Sequence, residues 1–271
     1  MALYYAPAIG TYLLAKCISL GPTDGYVVCN LQFFRLTHDS PRHLVRLACV
    51  TIMSFLVLFL PWLASTPLSM MDPITRIFPF ARGVFEDKVA NFWCFTNVLL
   101  IKWKTVSWAS PALLMRLSAV LTALGFLPCV GILLQNGIML SKTDPDTTTQ
   151  RSPLLRLLPY SLLSTSLSFF LFSFQVHEKT ILVPLLPITL LLSGAAVDSP
   201  LFGWGVLANN AGVFSMWPLL KRDGLGVQYI AILLLWNRLI GYNPIKLPQK
   251  SFIQLISLVR TSYCLYLLLP P

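Results

Sequence analysis

Residues Leu47–Ser65 read LACVTIMSFLVLFLPWLAS, a run of 19 residues without a charged side chain. A helix of about 20 apolar residues is long enough to cross the roughly 30 Å hydrocarbon core of a bilayer. Charge-free runs of similar length recur at Leu117–Ser141, Leu157–Val176, Thr180–Val197 and Ser199–Leu220. The sequence therefore predicts an all-α, polytopic membrane protein.

Three weaker runs raise the predicted number of spans to about seven or eight. Ala2–Leu20 is interrupted only by Lys16, whose ammonium group can reach the interface from near a helix end. Gly224–Ile240 and Ser251–Leu269 each contain one arginine. We predict a single transmembrane region over residues 1–271, with no soluble domain.

The composition supports a membrane protein over other classes. Of the 271 residues, 56% are hydrophobic and 11% are charged, whereas about a quarter are charged in a soluble domain. The 20 Lys and Arg residues outnumber the 10 acidic residues but are scattered, which favours lipid phosphates over nucleic acid as neighbours. The six cysteines form no CxxC pair, so we expect no disulfide framework and no metal site.

Two segments depart from the pattern of apolar spans and short loops. Residues 66–111 contain a block of interleaved charges and aromatic rings, RIFPFARGVFEDKVANFW, at residues 76–93. Within that segment the apolar run Val89–Ile101 has 13 residues, too few for a crossing, which predicts an interfacial or re-entrant helix. The second segment, Val176–Thr180 (VHEKT), separates two apolar runs with almost no loop.

Counting crossings predicts the side of the membrane on which these two segments lie. One span leads from the first segment to residues 142–156, and the next span leads back to the second segment. The connections 142–156 and 21–46 each carry several arginines or lysines, which is typical of cytoplasmic loops. We therefore expect both unusual segments on the lumenal face.

The charged residues of these segments suit an amphiphilic, phosphorylated ligand. Arginines bind phosphate oxygens in pairs, carboxylates accept hydrogen bonds from sugar hydroxyls, and a histidine can donate to phosphate or move a proton. The alternatives are an aromatic belt with snorkelling cations for the first segment and a hydrated helix turn for the second. The candidates are Arg76, Arg82, Glu86, Asp87, Lys88, His177, Glu178 and Lys179.

Three other features predict local structure. Pro184 and Pro187 mark the span that we expect to be bent or discontinuous. Asn209 and Asn210 lie within a predicted span, where we expect an interhelical hydrogen bond. Lys221–Gly224 (KRDG) is expected to be a loop that ends at the glycine.

Three stretches together resemble the endoplasmic-reticulum alpha-1,3-glucosyltransferases of N-glycan assembly. They are RIFPFARGVFEDKVANFWC at residues 76–94, FQVHEK at residues 174–179 and FSMWPLLKRDG at residues 214–224. The sibling enzyme that adds the second glucose shares the FPF-x-RG and VHEK elements but differs at FEDKVANFWC. The resemblance therefore favours the enzyme that adds the first glucose. The amino-acid sequences of the three stretches are similar to those of fungal members.

This resemblance implies a GT-C-type fold in the endoplasmic-reticulum membrane, with several spans and a lumenal active face. It implies transfer of glucose, with inversion, from dolichyl-phosphate-glucose to the terminal mannose of Man(9)GlcNAc(2)-diphospho-dolichol, without a metal or another cofactor. The expected partners are these two lipid-linked substrates and the bilayer, and no nucleic acid.

The resemblance also gives the candidate residues their roles. Arg82 and His177 are expected near the donor phosphate, while Glu86 and Asp87 orient sugar hydroxyls or Arg82. The remaining candidates for binding the donor are Arg76, Lys88, Glu178 and Lys179. The family's general base resembles an Asp of an amino-terminal lumenal loop, and no residue here matches that loop.

We therefore expect the chain to be the carboxy-terminal portion of such an enzyme and to be inactive by itself. Two alternatives remain at this level. One is the sibling enzyme that adds the second glucose. The other is a catalytically inactive multi-pass protein that binds lipid phosphates.

Overall fold

The computed structural model describes residues 2–19, 39–65, 89–100, 102–105, 110–141, 153–173 and 176–242. All regular structure in these ranges is helical, which confirms the all-α prediction for this part of the chain. Two short 3₁₀ turns are formed by Trp103–Thr105 and Glu178–Ile181. The α-helices are α1 (Ala2–Ser19), α2 (Asp39–Ser65), α3 (Phe92–Leu99), α4 (Pro111–Ser141), α5 (Pro153–Phe172), α6 (Leu182–Ser193), α7 (Pro200–Ser215), α8 (Trp217–Arg222) and α9 (Gly226–Leu239).

Three described helices are long and apolar enough to cross a membrane. The crossing segments are Arg42–Trp62 of α2, Pro111–Leu140 of α4 and Pro153–Phe172, the whole of α5. All three overlap runs predicted as spans. Helix α5 begins and ends four residues before the predicted run Leu157–Val176, because proline at residue 153 is favourable in the first turn of a helix.

Two other predicted spans contain shorter helices. Helix α6 has 12 residues, so its length is about 18 Å, and it follows the 3₁₀ turn that includes Thr180. Helix α7 has 16 residues and ends at Ser215, because Pro218 lacks an N–H and its ring would clash with the carbonyl of Phe214 in a continuous helix. The total of seven or eight spans stays a prediction, and Ser251–Leu269 lies outside the described residues.

The short helix α3 occupies most of the 13-residue run between Lys88 and Lys102. Its eight residues make it about 12 Å long, too short to cross a bilayer, as predicted. Its position relative to the membrane surface stays a prediction.

Farther along the chain, α8 ends beside Gly224, whose φ of +72° is a left-handed conformation that glycine adopts at low cost. The prediction that this segment ends at Gly224 is therefore confirmed. Lys221 and Arg222, however, form the last turn of α8 and not a loop.

The chain divides into two units. The larger comprises Met1–Pro7, Asp87–Cys129 and Pro159–Pro271, and the smaller comprises Ala8–Glu86 and Val130–Leu158. In the smaller unit, Ala15, Leu133 and Leu154 form a buried cluster. There, a Cβ added to Gly137 would lie 2.9 Å from the backbone of Ala15, so the two helices approach too closely for a larger residue.

In the larger unit, α6 and α7 are in close contact. Leu185, Ile188 and Leu192 of α6 are buried against Phe202 and Val206 of α7. The approach depends on small residues, because a Cβ on Gly205 would lie 2.6 Å from the Leu192 side chain and one on Gly212 would lie 2.9 Å from the Leu185 side chain. This pair of helices forms one wall of each cavity described below.

The buried asparagines also belong to this unit. Asn210 of α7 donates from Nδ2 to Oδ1 of Asn237 on α9 at 3.2 Å, and Asn237 in turn donates to the Leu233 carbonyl at 2.9 Å. The expected interhelical hydrogen bond is therefore confirmed for Asn210. Asn209 is equally buried and, like Asn210, lines a cavity, but its side chain makes no hydrogen bond with the described residues.

Candidate functional site

The segment Val176–Thr180 forms a tight turn between α5 and α6. The backbone N–H of Thr180 donates to the carbonyl of His177 at 2.9 Å, and the Thr180 hydroxyl donates to the same carbonyl. These bonds fix the path of the chain where a transmembrane helix gives way to the shorter α6. The turn therefore presents its side chains from a defined backbone rather than from a long loop.

The ionisable side chains of this turn differ in their exposure to solvent. His177 and Lys179 are exposed, and Glu178 is half-buried. In the described part of the chain, no ion pair joins Glu178 to Lys179, so the ammonium group of Lys179 is not neutralised by its neighbour. The turn thus carries a histidine and a cation, the two donor types that suit a phosphate group.

A buried cluster from three parts of the chain supports the turn. Tyr4, Val89, Phe170, Ile181 and Val183 pack together, and Val176 is half-buried against them. Tyr5, the neighbour of Tyr4 in α1, donates its hydroxyl proton to the carbonyl of Val183. Burial of this cluster holds the turn against the start of α1.

The end of the first charged block packs into the same region. The indole Nε1 of Trp93 donates to the carbonyl of Phe172, the last residue of α5, at 2.8 Å. Asn91 caps α3 by accepting a hydrogen bond from the Cys94 backbone N–H at 2.9 Å. The end of the first charged block therefore lies next to the helix that leads into the second unusual segment.

This arrangement corrects one expectation about the aromatic residues. We expected the rings of the first block, including Trp93, to stack on sugars or to lie at headgroup level, but the Trp93 side chain is only 1% exposed. It packs against Trp103 with ring centroids 5.9 Å apart, and its N–H bonds to the backbone of α5. Trp93 is therefore a structural residue that anchors α3.

Several predicted site residues cannot be placed relative to this turn. They lie outside the described residues, and their roles stay predictions: Arg76, Arg82, Glu86, Asp87 and Lys88. Val89, the residue that follows them, is buried in the cluster beneath the turn.

An apolar cavity of about 440 Å³ lies next to the turn, because Ile181, the residue that follows the turn, is part of its lining. Ala90 and Ile181 line one part of it, and its walls come from α5, α6 and α7. Ser215 contributes the only hydroxyl among the described lining residues, which are otherwise apolar except for the Trp204 indole. Such a cavity accommodates a hydrocarbon chain and offers almost no hydrogen bond to a polar ligand.

The sequence analysis did not identify this cavity. Its wall on α7 is formed by small residues at helical spacing, Gly205, Ala208, Ala211 and Gly212, which leave room between helices. The spacing of these residues on one helical face was the available signal. This spacing is compatible both with close helix packing and with a cavity between helices. Only the positions of α5 and α6 show that a cavity is present.

Trp93 provides a test of this scaffold. We expect Trp93→Ala to lower the free energy of unfolding by about 3–5 kcal/mol, because it removes a buried ring as well as a hydrogen bond. Trp93→Phe keeps most of the buried surface and should cost about 1–2 kcal/mol. Denaturant titration of both variants in detergent micelles measures the difference, and equal losses would contradict an anchoring role for the ring.

Comparisons with known proteins complete the description of the site. A profile of the ALG6, ALG8 glycosyltransferase family matches residues 1–270. The chain is 44% identical over 248 residues to a Saccharomyces cerevisiae protein named dolichyl pyrophosphate Man9GlcNAc2 alpha-1,3-glucosyltransferase, covering 89% of this chain and 38% of that protein. It is 38% identical over 240 residues to a Schizosaccharomyces pombe protein with the same name marked as probable, covering 88% and 40%.

A vertebrate relative gives a similar match. The Gallus gallus protein named dolichyl pyrophosphate Man9GlcNAc2 alpha-1,3-glucosyltransferase is 36% identical over 230 residues, covering 84% of this chain and 37% of that protein. The chain thus spans about two-fifths of the length of the curated relatives that it matches.

Proposed function

The chain belongs to the ALG6, ALG8 glycosyltransferase family, and from that premise we propose that it forms the donor-binding part of a glucosyltransferase. The reaction is transfer of glucose from dolichyl-phosphate-glucose to the terminal mannose of Man(9)GlcNAc(2)-diphospho-dolichol, in alpha-1,3 linkage. The names of the relatives support this acceptor and the first glucose over the second. The identification of dolichyl-phosphate-glucose as the donor rests on the site described above and on the family resemblance.

One observation carries the proposal: the apolar cavity lies next to the turn that exposes His177 and Lys179. Ile181 belongs to the 3₁₀ turn and also lines the cavity. A lipid phosphate has the matching chemistry, because its anionic group needs hydrogen-bond donors or cations while its hydrocarbon chain needs an apolar surface. The isoprenoid chain of the donor would occupy the cavity, with its phosphate at the turn.

The chemical role of the turn follows from the reaction. The mannose hydroxyl attacks C1 of the glucose, the C1–oxygen bond to phosphate breaks, and dolichyl phosphate leaves with an additional negative charge. Donors fixed at the leaving oxygen stabilise this charge more in the transition state than in the ground state. We assign this role to His177, with Lys179 contributing a more solvated charge.

Other groups complete the proposed mechanism. Arg82 would share the phosphate with His177, while Glu86 and Asp87 orient sugar hydroxyls or Arg82. The proton of the attacking hydroxyl needs a general base. By family resemblance, this base is an Asp of an amino-terminal lumenal loop, in the part of the relatives that this chain does not cover.

A chimeric enzyme tests the proposed function. This chain would replace the matching residues of the Saccharomyces cerevisiae relative, and the purified chimera would be given dolichyl-phosphate-glucose and Man(9)GlcNAc(2)-diphospho-dolichol. We expect a product one glucose larger, and none with dolichyl-phosphate-mannose. A folded chimera that transfers no glucose under conditions in which the parent does would refute the proposal.

The proposed location is the endoplasmic-reticulum membrane, with the candidate site on the lumenal face. An N-glycosylation acceptor, Asn-x-Ser/Thr, introduced into residues 142–151 should stay unmodified, because that connection is predicted to be cytoplasmic. A matched acceptor introduced into residues 66–88 should be modified. Gel mobility before and after glycosidase treatment measures glycosylation at both positions. The reverse pattern would place the site in the cytoplasm.

A further inference from the structure

A second cavity, of about 520 Å³, lies in the larger unit on a different wall of α6 and α7. Leu182, Leu185 and Leu186 of α6 line it together with residues of α7 and α9. Leu185 also lines the first cavity, so the two cavities share part of a wall. The proposed donor chain occupies the first cavity and gives the second no role.

The second cavity contains a buried polar group without an assigned function. Asn209 is 6% exposed and lines the cavity, and its side chain makes no hydrogen bond with the described residues. Its neighbour Asn210 is paired with Asn237, so the two adjacent amides differ in this respect. A buried amide without a hydrogen bond is costly, which makes a hydroxyl-bearing ligand favourable at this position.

The hydrogen-bonding chemistry of Asn209 selects the ligand group. Its amide both donates and accepts, and an alcohol does the same, so a single hydroxyl group can make both kinds of hydrogen bond with it. The other asparagine that lines the cavity, Asn210, is already engaged with Asn237.

The remaining lining restricts the ligand to an uncharged one. None of the described lining residues is Asp, Glu, Lys, Arg or His. Leu186 and Ile232, both exposed, form part of the wall, so the cavity opens beside apolar surface of the kind that contacts lipid. A phospholipid headgroup would find no counter-charge inside, whereas an uncharged amphiphile can enter from the hydrocarbon.

We propose that this cavity is a sterol-binding site in which the sterol hydroxyl bonds to the amide of Asn209. Trp236 lies in the last turn of α9, and Leu225 just before the first turn also lines the cavity. These two residues are about 16 Å apart along the helix axis, a length that a rigid four-ring sterol and its side chain fill. The cavity volume lies within the range of sites for small molecules.

Photolabelling of the whole chain, reconstituted in phosphatidylcholine vesicles, tests this site. The probe is a diazirine-bearing sterol that keeps its free 3-hydroxyl. We expect saturable labelling on peptides of α6, α7 or α9 that line the cavity, and competition by unlabelled sterol. Asn209→Leu, which keeps the number of side-chain heavy atoms, should weaken binding about fivefold, as expected for one lost hydrogen bond.

The control is Asn136→Leu, the same chemical change at a residue of α4 that lines neither cavity, which should leave labelling unchanged. Competition by a 3-deoxy sterol as strong as that by the hydroxylated one would overturn the proposal, as would labelling that does not saturate. Stronger competition by free dolichol than by sterol would assign the cavity to an isoprenoid alcohol and would also overturn it. These outcomes do not depend on glucosyl transfer, so they are distinct from failure of the proposed function.

Discussion

Replacing His177 by alanine is expected to lower the rate of glucosyl transfer about 100-fold, because the phosphate loses a positioned donor as its negative charge increases. The backbone of the turn should survive, since its hydrogen bonds use the carbonyl of His177 and not its ring. The measurement is kcat and KM of the chimeric enzyme with dolichyl-phosphate-glucose. A role in the transition state predicts that kcat falls more than KM rises.

The control for this result is Lys221→Ala. Lys221 is also an exposed cation, but it lies in the last turn of α8 and does not belong to the turn that lies next to the first cavity. Its replacement should leave kcat unchanged. If His177→Ala raised only KM, or if both variants lost equal activity, the histidine would not have the role that we assign to it.

The second large effect concerns the first cavity. Ala211→Phe would place a ring in the space that we assign to the isoprenoid chain, since Ala211 lines that cavity. We expect kcat/KM for dolichyl-phosphate-glucose to fall by more than about tenfold, the loss expected when several methylene groups no longer find an apolar surface. The turn and its charges are unaltered by this change.

A donor with a shortened chain separates the cavity from the headgroup site. With citronellyl-phosphate-glucose, Ala211→Phe and wild type should have similar kcat/KM values, because the short chain does not need the filled space. Ala231→Phe is the matched control, since Ala231 is exposed on α9 and lines neither cavity. A uniform loss with both donors would show that the substitution distorts the site instead of blocking the chain.

Sequence patterns were most informative for the long helices. The runs within α2 and α4 predicted crossing helices, because a helix in lipid must be apolar on all sides over a fixed length. The same rule predicted single crossings at Thr180–Val197 and Ser199–Leu220, where the structure has shorter helices. Apolar composition does not mark a helix end, and the ends here depend on the turn before α6 and on Pro218.

Only the charged part of the candidate site could be identified from the sequence. His177, Glu178 and Lys179 were identified because ionisable residues between two apolar runs are unusual. Trp93 was interpreted as a surface ring, since composition does not distinguish an aromatic residue at the interface from one in the core. Its position depends in part on a long-range hydrogen bond to Phe172 that no local pattern encodes.

The sequence by itself determined that this protein is helical and membrane-embedded, and that it carries a histidine and a lysine between two apolar runs. Hydrophobic burial and backbone hydrogen bonding in lipid act within each segment, so a linear pattern suffices for them. Only the tertiary structure decided that the VHEK turn adjoins an apolar cavity and that Asn209 lines a second one. Cavities are spaces between helices, and their existence depends on how closely side chains of distant segments approach one another.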